Sequence, residues 1–335
     1  MSSTPSLESL TAHLRQHKKP DPVLQLKLEK QKSVRLAQEL AEAKSQLDLA
    51  VISLESARQV RPCKLDVKQA KSRQTGDKVR VIIPDTHGAK VDKKALAAAL
   101  GDIAALQPDE IMLMGDHVDC GGFLALHHVM GYVAETKYSY EEDIEATNAF
   151  LDALQQISPN SRIEYIEGNH ERRVETWCVT QTLRHSRDAE YLRRLFAPEF
   201  RLKLAEREIP YYRQGEYYDG LSVPGIIKRG KCFFVHGFST AKNAVAATQS
   251  KIGGNVVAAH THRAQSDITR PVSAGVIGSW NPGCLCELNP LWQHTRPTDW
   301  TQGIAVQLIA RSGSFLHLNI PIIGGHSHLN ALLKK

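Results

Sequence analysis

The sequence predicts an α/β fold, a β-sheet covered by helices. Two observations carry that prediction. Apolar runs of strand length alternate with helix-like patterns, and five of the runs stop abruptly near Asp, Asn or His. The runs are Val79 to Ile83, Ile111 to Met114, Ile163 to Ile166, Cys232 to Val235 and Val256 to Ala259. They lead into Asp85-Thr86-His87, Gly115-Asp116-His117-Val118-Asp119, Gly168-Asn169-His170-Glu171, His236-Gly237 and His260-Thr261-His262. Open α/β sheets place their sites at the carboxyl ends of buried strands, where such polar residues are expected. Five strand ends supplying carboxylate, imidazole and amide groups point to a polynuclear metal centre.

Residues 22–58 read as one long helix, with Asp21-Pro22 as its start signal. Leu36, Leu40, Ala43, Leu47, Ala50, Leu54 and Ala57 form an a/d seam of about three heptads. Such a seam suits a homodimer or partner contact, or packing on the chain's own catalytic domain. Lys93 to Leu106 is helical between the first two motifs, and Tyr140 to Ile157 before the third. Residues 171–215 change character. They are helical in period and without strand runs, with arginines at 172, 173, 184, 187, 193, 194, 201, 207 and 213 largely offset by nearby acids. This segment is expected to be an insertion beside the site, either a substrate wall or a solvated helical pair laced with ion pairs. From 221 onward short strands return between Gly and Pro. The expected divisions are a helical and basic extension over 1–77, a catalytic domain over 78–325 and a tail over 326–335.

With 42% hydrophobic and 23% charged residues, the composition is that of an ordinary soluble chain. No apolar stretch approaches the roughly 20 residues that span a bilayer, so no membrane role is expected. The opening Met1-Ser2-Ser3-Thr4-Pro5 lacks a signal-peptide pattern, and a cytoplasmic protein is expected. Its six cysteines (63, 120, 178, 232, 284 and 286) then read as thiols. Cys284-x-Cys286 is too tight for the usual zinc clamp. The net charge of +6 is matched by residues 58–80 alone, where eight Lys and Arg face Asp66 and Asp77. That stretch is either a solvated linker or a contact for nucleic-acid phosphates.

In order and spacing, the five motifs over residues 78–285 resemble those of the calcineurin-like metallophosphoesterase superfamily: DxH, GDxxD, GNH with Glu or Asp, a lone His and a closing HxH. The resemblance implies two packed mixed β-sheets flanked by helices, a four-layer sandwich, here preceded by the long N-terminal helix. It also implies a dinuclear-metal-dependent phosphoesterase, with metal-bound hydroxide attacking phosphorus directly. Two ions about 3.5–4 Å apart neutralise the phosphoryl oxygens and activate water in such sites. Carried over motif by motif, Asp85, His87 and His262 would hold the first metal, and Asp116 would bridge both. Asn169, His236 and His260 would complete the second. Mn is the first choice of metal, with Fe, Zn, Ni and Mg as alternatives. His170 would face the leaving group as general acid, its protonated form stabilised by Asp119.

Other histidines are set aside. His117, His127 and His128 match no ligand position. Gly324-Gly325-His326-Ser327-His328 imitates the closing pair but has no strand pattern after it. His260 and His262 are followed by further strands and by Asn281-Pro282-Gly283, which resembles a segment many family members carry there.

Two positions depart from the family pattern. Cys120 stands where the protein-phosphatase branch carries a phosphate-gripping Arg, and Ala259 replaces a Gly. Arg172 or Arg173 is the candidate for gripping phosphate instead, since guanidinium binds it bidentately. The expected substrate is therefore a nucleic acid or nucleotide. The alternative is a Ser/Thr-type protein phosphatase, supported by Glu171 of the third motif. A silent scaffold that binds a partner through its N-terminal helix is a third reading, disfavoured by the full ligand set.

Overall fold

The computed structural model describes residues 22–59, 76–120, 139–181, 186–272, 275–290 and 297–329. The chain divides into two units, Met1–Ser72 and Arg73–Lys335. In the first, α1 (Pro22–Gln59) is a single long helix. Leu36 and Leu40 of its seam are exposed at 63% and 71%, so neither is covered along this helix. The side chains of Leu47, Ala50, Leu54 and Ala57 lie outside the described set, as do residues 60–75 and hence most of the basic segment. Lys78 and Arg80 of that segment are described, and both pair with Glu110.

The second unit holds two mixed sheets. In the first, β1 (Lys78–Ile83), β2 (Glu110–Leu113), β3 (Arg162–Ile166) and β4 (Tyr211–Tyr212) run parallel. The sheet continues antiparallel beyond β1 through three strands whose ranges are β10 (Gly303–Ile309), β11 (Phe315–Ile323) and β12 (His326–Ser327). Its order is β12-β11-β10-β1-β2-β3-β4. The second sheet comprises β5 (Ile227–Arg229), β6 (Cys232–Val235), β7 (Asn255–Ala258), β8 (Ala264–Thr269) and β9 (Ile277–Pro282), in the order β5-β6-β7-β9-β8.

Both faces of the central strands are buried, which explains why they read as near-continuous apolar runs. Val81, Ile83, Ile111 and Leu113 pack against Ala95, Ala99 and Ile103 of α2 (Lys93–Leu106) and Ile144, Leu151 and Leu154 of α3 (Tyr140–Ile157). Ile82, Met112, Met114 and Ile166 instead meet Ile227, Phe234, Val257 and Ala259 of the second sheet's strands and loops. Asp92 caps α2 by accepting from the amides of Lys94 and Ala95, and Ser139 caps α3 by accepting from Glu142.

Residues 171–215 fold largely as helices, namely most of α4 (Asn169–Gln181), then α5 (Ser186–Phe196) and α6 (Pro198–Arg201). One expectation is corrected here: the segment is not free of strands, because Tyr211 and Tyr212 pair in parallel with Tyr165 and Ile166. Two residues are too few to show a strand period, and the open edge of β3 supplies the pairing. The described arginines of the segment are mostly tied up. Arg193 pairs with Glu190 and Glu199, Arg194 with Glu190, Arg207 with Asp152, and Arg213 with Glu199 and Glu216. Residues 326–327 form β12 against Ile322 and Ile323, so the sheet runs past residue 325. Among the described residues no helix is long and apolar enough to cross a membrane.

Candidate metal centre

The five motif loops follow β1, β2, β3, β6 and β7 and converge beyond their carboxyl ends. Glycine makes the closest approach possible. A Cβ on Gly115 would lie 2.5 Å from the Gly168 nitrogen, and one on Gly168 would lie 2.1 Å from Asp116 Oδ1. The second and third loops therefore touch through bare backbone. His87, Asp116, Cys120, His260 and His262 all have left-handed φ, between 52° and 70°. Such conformations cost roughly 1–3 kcal/mol each and persist where the surroundings over-determine them.

Three buried side chains supply that determination. Glu171 accepts from the amides of Asp116, His117, Val118 and Gly168 and from the Tyr165 hydroxyl, at 2.7 to 3.2 Å. Asp143, from the first turn of α3, accepts from the amides of Ala89 and Cys120 and so joins the first two loops. Asn281 donates to the Ala259 carbonyl and the Thr261 hydroxyl, fixing the closing loop.

Four groups of possible ligand atoms result among the described residues, each within 4.8 Å: His87, His262 and Cys286; His87, Asp119 and His170; and a linked pair of groups, one of Asp85, His87 and Asp116 and one of Asp116, His236 and His260. Asp116 belongs to both groups of the linked pair. His262 Nε2 lies 2.9 Å from Asp85 Oδ2 and 3.1 Å from His87 Nε2. His236 Nε2 lies 3.1 Å from Asp116 Oδ2 and 2.9 Å from Asn169 Oδ1, while its Nδ1 donates to the Met114 carbonyl at 2.7 Å. All seven residues singled out from the sequence for metal binding are thus brought together.

Asp119 and His170 lie beside the same cluster, with a different pairing from the expected one. The Asp119 carboxylate bonds His87 Nδ1 at 2.8 Å. His170 Nδ1 donates instead to the Asp119 main-chain carbonyl at 2.6 Å, with the carboxylate 3.5 Å away. Burial, with His87 and Arg173 nearby, outweighs the carboxylates and pushes the His170 imidazole down to about 4. It is therefore neutral near pH 7 in this state.

The two candidate phosphate grips separate. Arg173 Nη1 lies 3.2 Å from His170 Nε2, at the cluster. Arg172 points to Gln214 at 3.4 Å and lines an exposed groove with Glu167 and Glu175.

The electrostatics call for a cation. Burial would raise Asp85, but the charge and hydrogen bond of His262 bring it down to about 2. Asp116 is likewise held well below the usual carboxylate range, chiefly by His236 and His170 against its burial. In return the carboxylates overcome the burial of His87 and His236 and push them up to about 9 and about 10. Buried acids thus hold protons on neighbouring imidazoles in places where a divalent ion would supply the positive charge. Carboxylate, imidazole and one amide oxygen form a donor set that suits Mn, Fe or Zn.

His117 is a core residue packed between Phe150 and Tyr165, its pKa pushed down to about 3 by burial. His326 and His328 are exposed on or beside β12, and His127 and His128 lie outside the described residues. The described cysteines are free thiols, and Cys63 lies outside the described residues. Cys286, set aside in the sequence as half of too tight a pair for a zinc clamp, is buried with its Sγ 3.9 Å from His262 Nδ1. Spacing alone could not reveal it, because the contact depends on the turn after β9.

Fold and site together define an α/β protein of two mixed sheets built around a buried carboxylate–imidazole cluster. The chain belongs to the calcineurin-like phosphoesterase family, whose model matches residues 80–329. It is a metal-dependent phosphoesterase. Among solved structures it is similar to vacuolar protein sorting 29 from Cryptosporidium parvum, at 12% identity, covering 75% of this chain and 94% of that one with a TM-score of 0.35. It is also similar to YfcE, a phosphoesterase from E. coli, at 14% identity, covering 72% and 98% with a TM-score of 0.29. For Vps29 of Chaetomium thermophilum the values are 10%, 72%, 94% and 0.28. Comparison with curated proteins gives no match.

Proposed function

We propose that this phosphoesterase acts on a nucleic acid or nucleotide, using two divalent ions shared through Asp116. The observation that supports the dinuclear reading is that Asp116 belongs to two ligand groups, one with Asp85 and His87 and one with His236 and His260. Asp85, His87 and His262 would hold one ion, and Asn169, His236 and His260 the other. When bound, the ions supply positive charge to the phosphoryl oxygens and lower the pKa of water. Mn is our first choice of metal.

The chain's own residues do the rest. Arg173 would hold a phosphoryl oxygen beside the cluster, a role supported by its Nη1 lying 3.2 Å from His170 Nε2. His170, oriented by the Asp119 carbonyl, would take up its proton together with the substrate's negative charge and pass it to the leaving oxygen.

Cys120 in place of the protein-phosphatase Arg supports the nucleic-acid reading, as does the basic 58–80 segment. The ion-paired arginines of 171–215 lend it less than the sequence suggested. Glu171 has an architectural task in organising the loops, so its presence does not favour a Ser/Thr-type phosphatase.

The test is a metal-reconstituted assay comparing a phosphodiester, a monoester, single- and double-stranded DNA and a phosphopeptide. Turnover of the nucleic acid or the diester is expected, and turnover of the phosphopeptide alone would overturn the substrate class. The exposed Leu36 and Leu40 also support pairing of α1 with a second copy, which sedimentation of the full chain would test.

A further inference from the structure

We propose that Cys286 is a positioning residue for His262, holding the ring so that Nε2 stays aimed into the metal centre. The proposal rests on the reading of Asp85, His87 and His262 as ligands of one ion. Three observations support it. His262 Nε2 converges on Asp85 Oδ2 and His87 Nε2, so it is the nitrogen that faces the cluster. At the other end of the ring, Nδ1 faces Cys286 Sγ at 3.9 Å, within hydrogen-bond reach of sulfur. Cys286 is itself 2% exposed and fixed in place. Its carbonyl accepts from Gln302, and its backbone bridges to Val91, just past the first motif. Trp300 packs edge-to-face on the His262 ring, with centroids 4.1 Å apart, and limits the ring's tilt.

The choice of sulfur has a chemical reason. A histidine that offers Nε2 to a cation carries its proton on Nδ1, which then requires an acceptor. The same ring facing Asp85 donates from Nε2 to the carboxylate, whether or not Nδ1 carries a proton of its own. A carbonyl or carboxylate, the usual partner of a ligand histidine, can only accept. A thiol can both donate and accept. Cys286 therefore keeps His262 in one orientation through both proton arrangements, so the site is pre-formed before the ion arrives.

The experiment uses the full chain as wild type, Cys286→Ser and Cys286→Ala. Binding of Mn²⁺ and of Zn²⁺ is measured by calorimetry, and the His262 tautomer by ring-nitrogen NMR with and without metal. Cys286→Ala is expected to weaken one ion by about 10–100-fold, the usual effect of losing a partner behind a ligand. Cys286→Ser, which keeps a group able to donate and accept but must draw the ring closer to reach it, is expected to recover part of that loss. Wild-type affinity in Cys286→Ala would overturn the proposal, as would equal losses in both variants. A thiolate-to-metal charge-transfer band in Co²⁺-loaded wild type would also overturn it, by making the sulfur a ligand. Failure of wild type to bind any divalent ion would instead overturn the ligand reading on which the proposal stands.

Discussion

His260-Thr261-His262 and His326-Ser327-His328 share one spacing and one middle-residue chemistry, yet the fold treats them oppositely. The first pair follows β7, is held in left-handed backbone by Asn281, and meets Asp85 and neighbouring imidazoles in a largely buried cluster. The second stands exposed at β12, on the edge of the first sheet. The difference teaches that His-x-His carries no function by itself. Buried carboxylates within reach and a backbone that cannot relax make imidazoles fit for a cation. Each expected outcome below tests whether that contrast between interior cluster and periphery is real.

The largest effect should come from the residue common to the two linked ligand groups. Asp116→Asn is expected to lower kcat/KM by more than about 1000-fold, since several kcal/mol of metal-supplied charge stabilisation would go. Metal content measured on the same protein should fall below two ions per chain. Near-normal turnover would break the reading of the interior as a shared-carboxylate centre.

Glu171 tests the claim that the interior backbone is held in place. Glu171→Ala strands four amides and the Tyr165 hydroxyl without their acceptor. With each unmet buried donor costing about 1–3 kcal/mol, partly relieved by water, a loss of roughly 3–5 kcal/mol is expected. Urea unfolding would measure it, and a change under about 1 kcal/mol would show that the loops hold themselves.

His170 is expected to separate chemistry from metal binding. His170→Ala should lower kcat by about 100-fold, the lower end for a general acid, while both ions remain bound. Loss of an ion in that variant would move His170 into the ligand set. Arg173 and its neighbour then give an internal control. Arg173→Ala should cost about tenfold in kcat/KM through one charge-assisted contact, and Arg172→Ala much less. Equal losses would mean that the site extends to the groove near Gln214.

Most of the fold, and the convergence of the seven candidate side chains, was legible in the sequence for an identifiable reason. Strands buried on both faces show as unbroken apolar runs, and polar residues that end such runs have few other reasons to be there. Asp92 and Ser139 cap their helices, a local signal that the sequence carries but that the helix assignments did not use. What stayed hidden was decided by packing between distant segments. Asp143 looks like an ordinary helix acid and Glu171 like a motif residue of the site, and only the folded loops show which amides they gather. Arg172 and Arg173 are adjacent in the chain, and only the turn of α4 sends one to the cluster and the other outward. The Asp119–His170 contact was foreseen, but not that the main-chain carbonyl is the nearer oxygen, since main-chain carbonyls leave no mark in a sequence.

The smallest expected effect returns to the two histidine pairs. The His326→Ala/His328→Ala double variant removes two exposed rings, so stability should change by less than about 0.5 kcal/mol. No carboxylate of the cluster touches these rings among the described contacts, and metal content and kcat/KM should stay at wild-type levels. The matching His260→Ala/His262→Ala variant removes a donor from each proposed ion and should lose both metal and turnover. The informative measurement is metal content by mass spectrometry on both double variants prepared side by side. Loss of an ion from the His326/His328 variant would show that an exposed edge pair can recruit metal without buried carboxylates, and the contrast drawn above would then rest on the wrong physical cause.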